Sequence, residues 1–524
     1  MYSWTHDWPE VAQIVGVEHL YPHLENTDIV REWHAMALRF RDRLAVQDDR
    51  GEWSYGRLVQ AVEMMAARLT ELRVKEGDRV FLALPNSVEF VVSFFASLWV
   101  GAIAVPVNPG LGQEEMVRVI DDAKPRVFVY LASESVQPLE YPEMILWPLD
   151  VHDLFDGRGL VPQLAARNAD RVAVVLYTSG TTGQPKGVML SHRNILTSTT
   201  TYRYVFHLNE TDRTLIAIPL FHVTGLVGQL LACLLVGAAV VLVRKYSARQ
   251  YMEWVNSERI SFIFAVPTIL TLAFLREQNW QTPSHLRLVA SGGASITPTL
   301  IARIQELLPH AAFYNTYGMT EVSSPAAILP PQCVSAHRGS VGLPVPGITF
   351  RVVDWNTGVD VGPDQPGELW MRGPMVTKGY WQRPDVTREV LAGGWLHSGD
   401  IASCDGEGFL TIHGRIKDMI NRGGEKVYAL DVERPLGEHP AVMESAVYGI
   451  DSAVWGEEVA CAISFRPGMR ASAEELNAWL RPRVARFKIP TAYRVWRELP
   501  RNANGKIDKR RLQQDHDCAP ELAP

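Results

Sequence analysis

Cysteine is scarce in this 524-residue chain: five residues, odd in number, far apart and without a C-x-x-C pair. That spacing supports neither a disulfide framework nor a cysteine-based zinc site, and a reducing, cytoplasmic setting is the expectation. Positive charge is in deficit too. Lys and Arg number 51 against 58 Asp and Glu, a net charge of −7, which argues against nucleic acid as the main partner. No basic stretch followed by an apolar one opens the sequence, so a secretory leader is not expected. Two segments, 90–110 and 223–243, are each 21 residues without any charge, long enough to cross a bilayer. Each nevertheless reads as an apolar run, a glycine (Gly101, Gly237) and a short β-branched run, the pattern of a buried helix, its stop and a buried strand. With no Lys/Arg asymmetry around them, an integral membrane protein is not expected.

Apolar residues make up 47% of the chain and charged residues 21%, ordinary globular usage. Strand-like runs at 79–84, 127–131, 172–176, 214–218, 262–266 and 286–290 alternate with helical patterns such as 55–73 and 300–308. That alternation predicts an α/β fold with parallel-rich layers covered on both faces. Beyond about residue 337, Gly and Pro thicken and short alternating strands predict a β-rich layer. From Lys417 a small α+β unit follows. The expected division is a large N-terminal domain over 1–416, a small mobile C-terminal domain over 417–514, and a disordered tail over 515–524.

The most informative segment is Tyr177-Thr-Ser-Gly-Thr-Thr-Gly-Gln-Pro-Lys-Gly-Val188. Gly180, Gly183 and Gly187 allow close backbone approach to an anion. The hydroxyls of Thr178, Ser179, Thr181 and Thr182 can donate to phosphate oxygens, and Lys186 adds a point charge. It is not a Walker loop, because the glycine spacing is wrong and no Ser or Thr follows the lysine. A second block, Tyr314-Asn-Thr-Tyr-Gly-Met-Thr-Glu321, offers the π-face of Tyr317, the amide of Asn315 and a hard oxygen ligand for Mg²⁺ in Glu321. Ser291-Gly-Gly-Ala294 follows a predicted strand, and tight glycines at a strand's carboxyl end suit a ligand crevice.

These blocks, in this order, resemble the adenylate-forming superfamily, which includes acyl- and aryl-CoA synthetases, adenylation domains of non-ribosomal peptide synthetases and beetle luciferases. The resemblance runs from about Trp53 to Leu512. It implies nucleotide binding by Thr178, Ser179, Gly180, Thr181, Thr182, Gly183 and Lys186. To these it adds Gly292, Gly293 and Ala294, the block Asn315, Thr316, Tyr317, Gly318 and Thr320, and the ribose contacts Asp400 and Arg415. Glu321, with Thr178, would hold Mg²⁺. Lys506, in Pro500-Arg-Asn-Ala-Asn-Gly-Lys-Ile507, matches the family's catalytic lysine, and His222, in Pro219-Leu-Phe-His-Val-Thr-Gly225, stands beside the carboxylate pocket. Gly379-Tyr-Trp381 matches a block that is mainly structural in the family. Lys417 occupies the hinge position. Gly423, Gly424, Trp455, Phe487 and Lys488 resemble CoA-facing positions. Val223, Gly225, Val266, Thr268 and Met319 flank the acyl pocket.

The implied activity is an ATP-dependent acid–CoA ligase working through an acyl-AMP, with ATP, Mg²⁺ and CoA as cofactors. The pocket residues are small or apolar, with no Lys or Arg among them for a second carboxylate. A medium- or long-chain fatty acid is the first expectation and an aryl acid the alternative. A phosphopantetheinyl carrier protein in place of CoA stays open, although a fused carrier domain is not expected. A homodimer is likewise left open.

Overall fold

A computed structural model describes residues 24, 27–133, 141, 144–155, 159–166, 168–178, 185–274, 283–501 and 506–522. Two large sheets form its centre. A six-stranded sheet runs Ile145–Leu149, Val127–Leu131, Arg79–Ala83, Ile103–Pro106, Val172–Thr178, Lys186–Ser191, all parallel except the last. A nine-stranded sheet has a parallel centre, Ala312–Tyr317, Leu288–Ser291, Phe262–Ala265, Arg213–Ile216, Ala239–Leu242 and Leu44–Asp48, with antiparallel strands at both edges. The parallel-rich α/β layers expected from the alternating pattern are therefore present.

Both charge-free segments resolve into helix, glycine and strand. Val88–Trp99 starts at Ser87, whose hydroxyl accepts from the Phe90 amide, and every one of its residues is buried. It stops at Gly101, whose φ of 79° lies in the left-handed region, before the buried strand Ile103–Pro106. The second unit departs from an ordinary helix: Thr224–Leu231 is a π-helix running into Ala232–Leu234. A Cβ on Gly225 would sit 2.7 Å from the Pro219 carbonyl oxygen and 2.8 Å from that of Ile218, so only glycine lets the helix start so close to the preceding backbone. Among the described residues no helix is long and apolar enough to cross a membrane.

The β-rich layer is a four-stranded antiparallel sheet, Thr349–Val353, Gly367–Arg372, Leu396–Cys404 and Leu410–Arg415. The last sheet has five strands, and the hairpin Val442–Ser452/Gly456–Phe465 is its spine. This unit buries its own core around Ile420, Val432, Val447, Ile463, Leu476 and Tyr493, which makes it a separate C-terminal domain.

The end of the chain differs from the disordered tail expected over 515–524. The described part, through Leu522, is tied to the C-terminal domain. Its Leu522 amide donates to the Tyr493 carbonyl at 3.0 Å, Glu521 pairs with Arg494 at 2.9 Å, and buried His516 lies 2.9 Å from the Tyr448 hydroxyl. The segment's polar composition hid these long-range partners, which are available only once the sheet has formed.

Candidate active site

The floor of the site is the carboxyl end of three adjacent parallel strands, Phe262–Ala265, Leu288–Ser291 and Ala312–Tyr317. The chain turns away through Gly292 and Gly293. A Cβ on Gly292 would lie 2.2 Å from the Thr316 hydroxyl oxygen and 3.2 Å from the Phe264 ring. Gly293 has φ 82° and faces Val266, whose Cγ1 would be 3.5 Å from an added Cβ. Thr316 donates to the Ser291 carbonyl at 2.9 Å, and the Asn315 amide donates to the Ser340 carbonyl at 2.8 Å. The first bond ties the two strand ends together beside the crevice, and the second ties Ala312–Tyr317 to the loop that precedes Leu343–Pro344. Gly293 and Ala294 remain exposed at its rim.

Asp400 and Arg415 stand opposite one another on neighbouring antiparallel strands. One Asp400 oxygen pairs with Arg415 Nε at 2.9 Å, and the other accepts from the Tyr317 hydroxyl at 2.5 Å. Asp400 is buried, and its charge raises the Arg415 guanidinium above its ordinary value despite the cost of burial. Each carboxylate oxygen has two lone-pair sites, so both can still accept from a diol.

The phosphate-loop candidate is a hairpin. Val172–Thr178 leads out, Lys186–Ser191 returns, and Thr178 pairs with Lys186 at its tip. Ser179, Gly180, Thr181, Thr182 and Gly183 lie outside the described residues. Lys186 Nζ sits 5.6 Å over the ring of Tyr380. The Tyr380 hydroxyl donates to Glu321 Oε1 at 2.8 Å. Glu321 is buried in the short turn Thr320–Val322, where Met319 and Gly318 lead into it. Tyr380 thus lies against both the metal-site candidate Glu321 and the phosphate-site candidate Lys186, a place that a family block read as mainly structural did not disclose.

His222 begins the turn before the π-helix, with its ring 4.6 Å from that of Phe221. Burial, and then the charge of Lys506, push it down to about 4, so the imidazole is neutral at pH 7. Lys506 itself is solvent-exposed as a residue. The surrounding protein and then Arg415 nevertheless lower its ammonium value, while Asp400 and Glu321 oppose the shift. The lysine from the C-terminal domain and the carboxylates from the larger domain therefore share one electrostatic neighbourhood. Lys417 is exposed in the turn Ile416–Asp418 between the last two sheets, and partial desolvation is the main cause lowering its value. A cavity of about 660 Å³ opens beside this junction, lined by Tyr177, Thr178, Pro185 and Phe221 from one side and Lys417 and Arg510 from the other.

The residues expected to face CoA fall into two groups. Gly423 and Gly424 adopt φ 61° and 96°, and a Cβ on Gly423 would lie 2.6 Å from Trp455 Cε3. The Gly423 amide donates to the Trp455 carbonyl at 2.8 Å, and Trp455 stays 44% exposed. Lys488 is held elsewhere, 2.6 Å from Asp431, and Phe487 packs on the domain's core. Around the acid-pocket candidates, Val223 is buried and Thr268 lies on the helix Pro267–Phe274. Two aromatic neighbours, Phe264 and Tyr202, were not singled out by sequence pattern because they read as plain core. Their rings meet edge to face at 5.9 Å, and the Tyr202 hydroxyl is 2.9 Å from that of Ser324.

Comparison with known proteins agrees with this layout. The family model of AMP-binding enzymes matches residues 33–381, and that of the AMP-binding enzyme C-terminal domain matches 431–506. A feruloyl-CoA synthase from Amycolatopsis is 35% identical over 87% of this chain and 92% of its own length. An oxalate–CoA ligase from Arabidopsis thaliana is 33% identical over 91% and 96%. The o-succinylbenzoate CoA synthetase of Bacillus subtilis, solved with its acyl-adenylate intermediate, superimposes with a TM-score of 0.84 at 29% identity, covering 94% of this chain and 99% of that one. This chain belongs to the AMP-binding enzymes of the adenylate-forming superfamily.

Proposed function

We propose that this AMP-forming acid–CoA ligase activates a planar aryl carboxylic acid, with the residues above in the roles their positions suit. ATP, Mg²⁺ and CoA are its cofactors. The observation that carries the ligase part of the reading is the pairing of Asp400 with Arg415 at 2.9 Å and with Tyr317 at 2.5 Å, and the buried Glu321 held by Tyr380 at 2.8 Å, with Lys506 near enough for both carboxylates to act on its ammonium.

In the first step a carboxylate oxygen of the acid forms a bond to the α-phosphorus of ATP, and the bond to the departing pyrophosphate breaks. The acid is ionised at pH 7, so no general base is required. The obstacle is repulsion between anions, and the protein answers it by placing positive groups and donors. Lys506 meets the α-phosphate and the carboxylate. Lys186 and the 178–183 loop meet the outer phosphates. Asp400 and Arg415 fix the ribose, and Tyr317 covers the adenine. His222, neutral, borders the carboxylate without adding charge. Glu321 suits Mg²⁺: it is a buried carboxylate with one oxygen bonded to Tyr380 and the other left for a hard cation. No cluster of three or more protein ligands exists among the described residues, so the ion would be shared with the nucleotide's oxygens, as is usual for Mg²⁺. When bound, it neutralises phosphate charge. In the second step the CoA thiolate attacks the acyl carbonyl, the thioester bond forms, and AMP leaves with the electrons of the anhydride bond. Rotation about Lys417, the boundary we assign between 1–416 and 417–514, would exchange Lys506 for the Gly423–Gly424 turn.

The aryl reading replaces the fatty acid as first choice on two grounds. The relatives named above include a feruloyl-CoA synthase and an o-succinylbenzoate synthetase. The pocket floor is glycine backbone at 292–293 beside Phe264 and Val266, apolar neighbours against which an aromatic ring can pack. The test is a panel of aryl, fatty and dicarboxylic acids with ATP, Mg²⁺ and CoA, following AMP release and identifying thioesters by mass spectrometry. Cinnamate- or benzoate-type acids should turn over at least tenfold better than octanoate. Preference for the fatty acid overturns the aryl assignment. AMP formation with a holo-carrier protein but not CoA overturns the acceptor.

A further inference from the structure

We propose that Tyr380 is a positioning residue for the adenylation step: its hydroxyl fixes the Glu321 carboxylate and its ring seats Lys186, holding the metal-facing oxygen and the phosphate-loop cation at a set spacing. This rests on the ligase reading of the same site. The hydroxyl donates to Glu321 Oε1 at 2.8 Å, and the Lys186 ammonium lies 5.6 Å over the ring, within cation–π range. Backbone bonds hold the arrangement. Residues 377–381 form a strap bonded to Glu321 and to the strand that carries Lys186: the Trp381 amide donates to the Gly187 carbonyl at 2.7 Å, the Met189 amide to the Gly379 carbonyl at 2.9 Å, and the Thr377 amide to the Glu321 carbonyl at 2.7 Å. Gly379, at φ 120°, would place a Cβ 2.4 Å from Thr387, so this residue sets the path that delivers the phenol. Tyr380 is 7% exposed, and a phenol, with an ordinary value near 10, is a donor at about pH 7.

The arrangement answers a specific problem. A bare lysine beside a bare carboxylate would form an ion pair, and the two charges would neutralise each other instead of meeting phosphate and metal. Interposing a ring and a hydroxyl gives each a neutral partner that leaves its charge available.

The test is calorimetric. ATP binding is measured in Mg²⁺ and, separately, in EDTA, for wild type, Tyr380→Phe, Glu321→Gln and the double variant, with thermal melts to establish folding. Losing one hydrogen bond to a carboxylate predicts roughly tenfold weaker binding of Mg·ATP by Tyr380→Phe, unchanged binding in EDTA, and no further loss when it is added to Glu321→Gln. Tyr380→Leu, which removes the ring as well, should also weaken ATP in EDTA. Equal losses with and without Mg²⁺, additive losses in the double variant, or wild-type affinity in Tyr380→Phe would each overturn the proposal. If instead wild type makes no acyl adenylate from any acid while Tyr380→Phe still loses only the Mg²⁺-dependent part, the ligase reading fails and the positioning role stands.

Discussion

Lys506 acts through charge, and its neighbours define what its removal should do. It lies near enough to His222 to lower that imidazole, after burial itself, to about 4. A nearby cation disfavours protonation, so Lys506→Ala should raise the His222 value, though burial keeps it under the ordinary 6.5 or so. Titration of the His222 ring by NMR reads this directly, and an unmoved value would mean that Lys506 does not occupy the site in solution. The same variant should lose adenylation by about 10²–10³ while converting supplied acyl adenylate to thioester within a few-fold of wild type. Lys506 was legible in the sequence because a Gly-Lys-Ile segment ends an ordered series of motifs. Tyr380 was not, because its partner lies 59 residues away in sequence and a Gly-Tyr-Trp run looks like core.

At the scale of elements, the alternation of strands and helices was readable, since parallel sheets demand long apolar runs. The π-helix at Thr224–Leu231 was not, because its apolar pattern matches an ordinary buried helix and only the close approach at Gly225 sets it apart. The acid pocket was readable only in part, because glycines at 292–293 specify space and not a partner. Gly292→Ala puts a methyl against Thr316 and Phe264, so it should reduce kcat/KM for aryl acids tenfold or more while changing the KM for ATP less; a larger effect on ATP would place the clash in the nucleotide site. A second element-scale expectation concerns acid. His192 caps the join between two helices: its Nδ1 accepts from the Ile29 amide at 3.3 Å, and burial is the main cause pushing it down to about 4. Its folded value lies under its unfolded one. As pH falls the unfolded chain therefore takes the proton first, and stability declines from about pH 6.5 towards 4. Urea midpoints at pH 7.5 and 5.0 should fall less steeply in His192→Gln than in wild type. An identical slope would assign the acid sensitivity elsewhere.

For the whole molecule, what must be explained is why the C-terminal domain rests with Lys506 within electrostatic reach of Asp400 and Glu321. Sequence could propose a hinge at Lys417 but not the contacts that would choose one pose, since these join residues with no local pattern. The clearest is a chain across the boundary. His413, on the strand Leu410–Arg415, lies 2.8 Å from the Ser403 hydroxyl and 3.1 Å from Asp431, on the helix Ala429–Gly437. Asp431 is also bound by Lys488 within its own domain. Burial alone would raise its carboxyl, but the bonds from His413 and Lys488 win and lower it. Arg434 adds a bond to the Ile412 carbonyl at 2.5 Å, and Lys426 lies 4.1 Å over Trp355. Rotation about Lys417 would break the His413 contact and leave the Asp431–Lys488 pair intact, because only the first crosses the hinge. His413→Ala should therefore weaken the adenylation pose specifically. At about 1 kcal/mol for one such bond, ATP–pyrophosphate exchange should fall roughly fivefold, while thioester formation from supplied acyl adenylate holds or rises. Trp355→Ala should act in the same direction by a smaller factor. A loss confined to the thioester step, or equal losses in both half-reactions of a folded variant, would show that His413 does not favour this pose over the other.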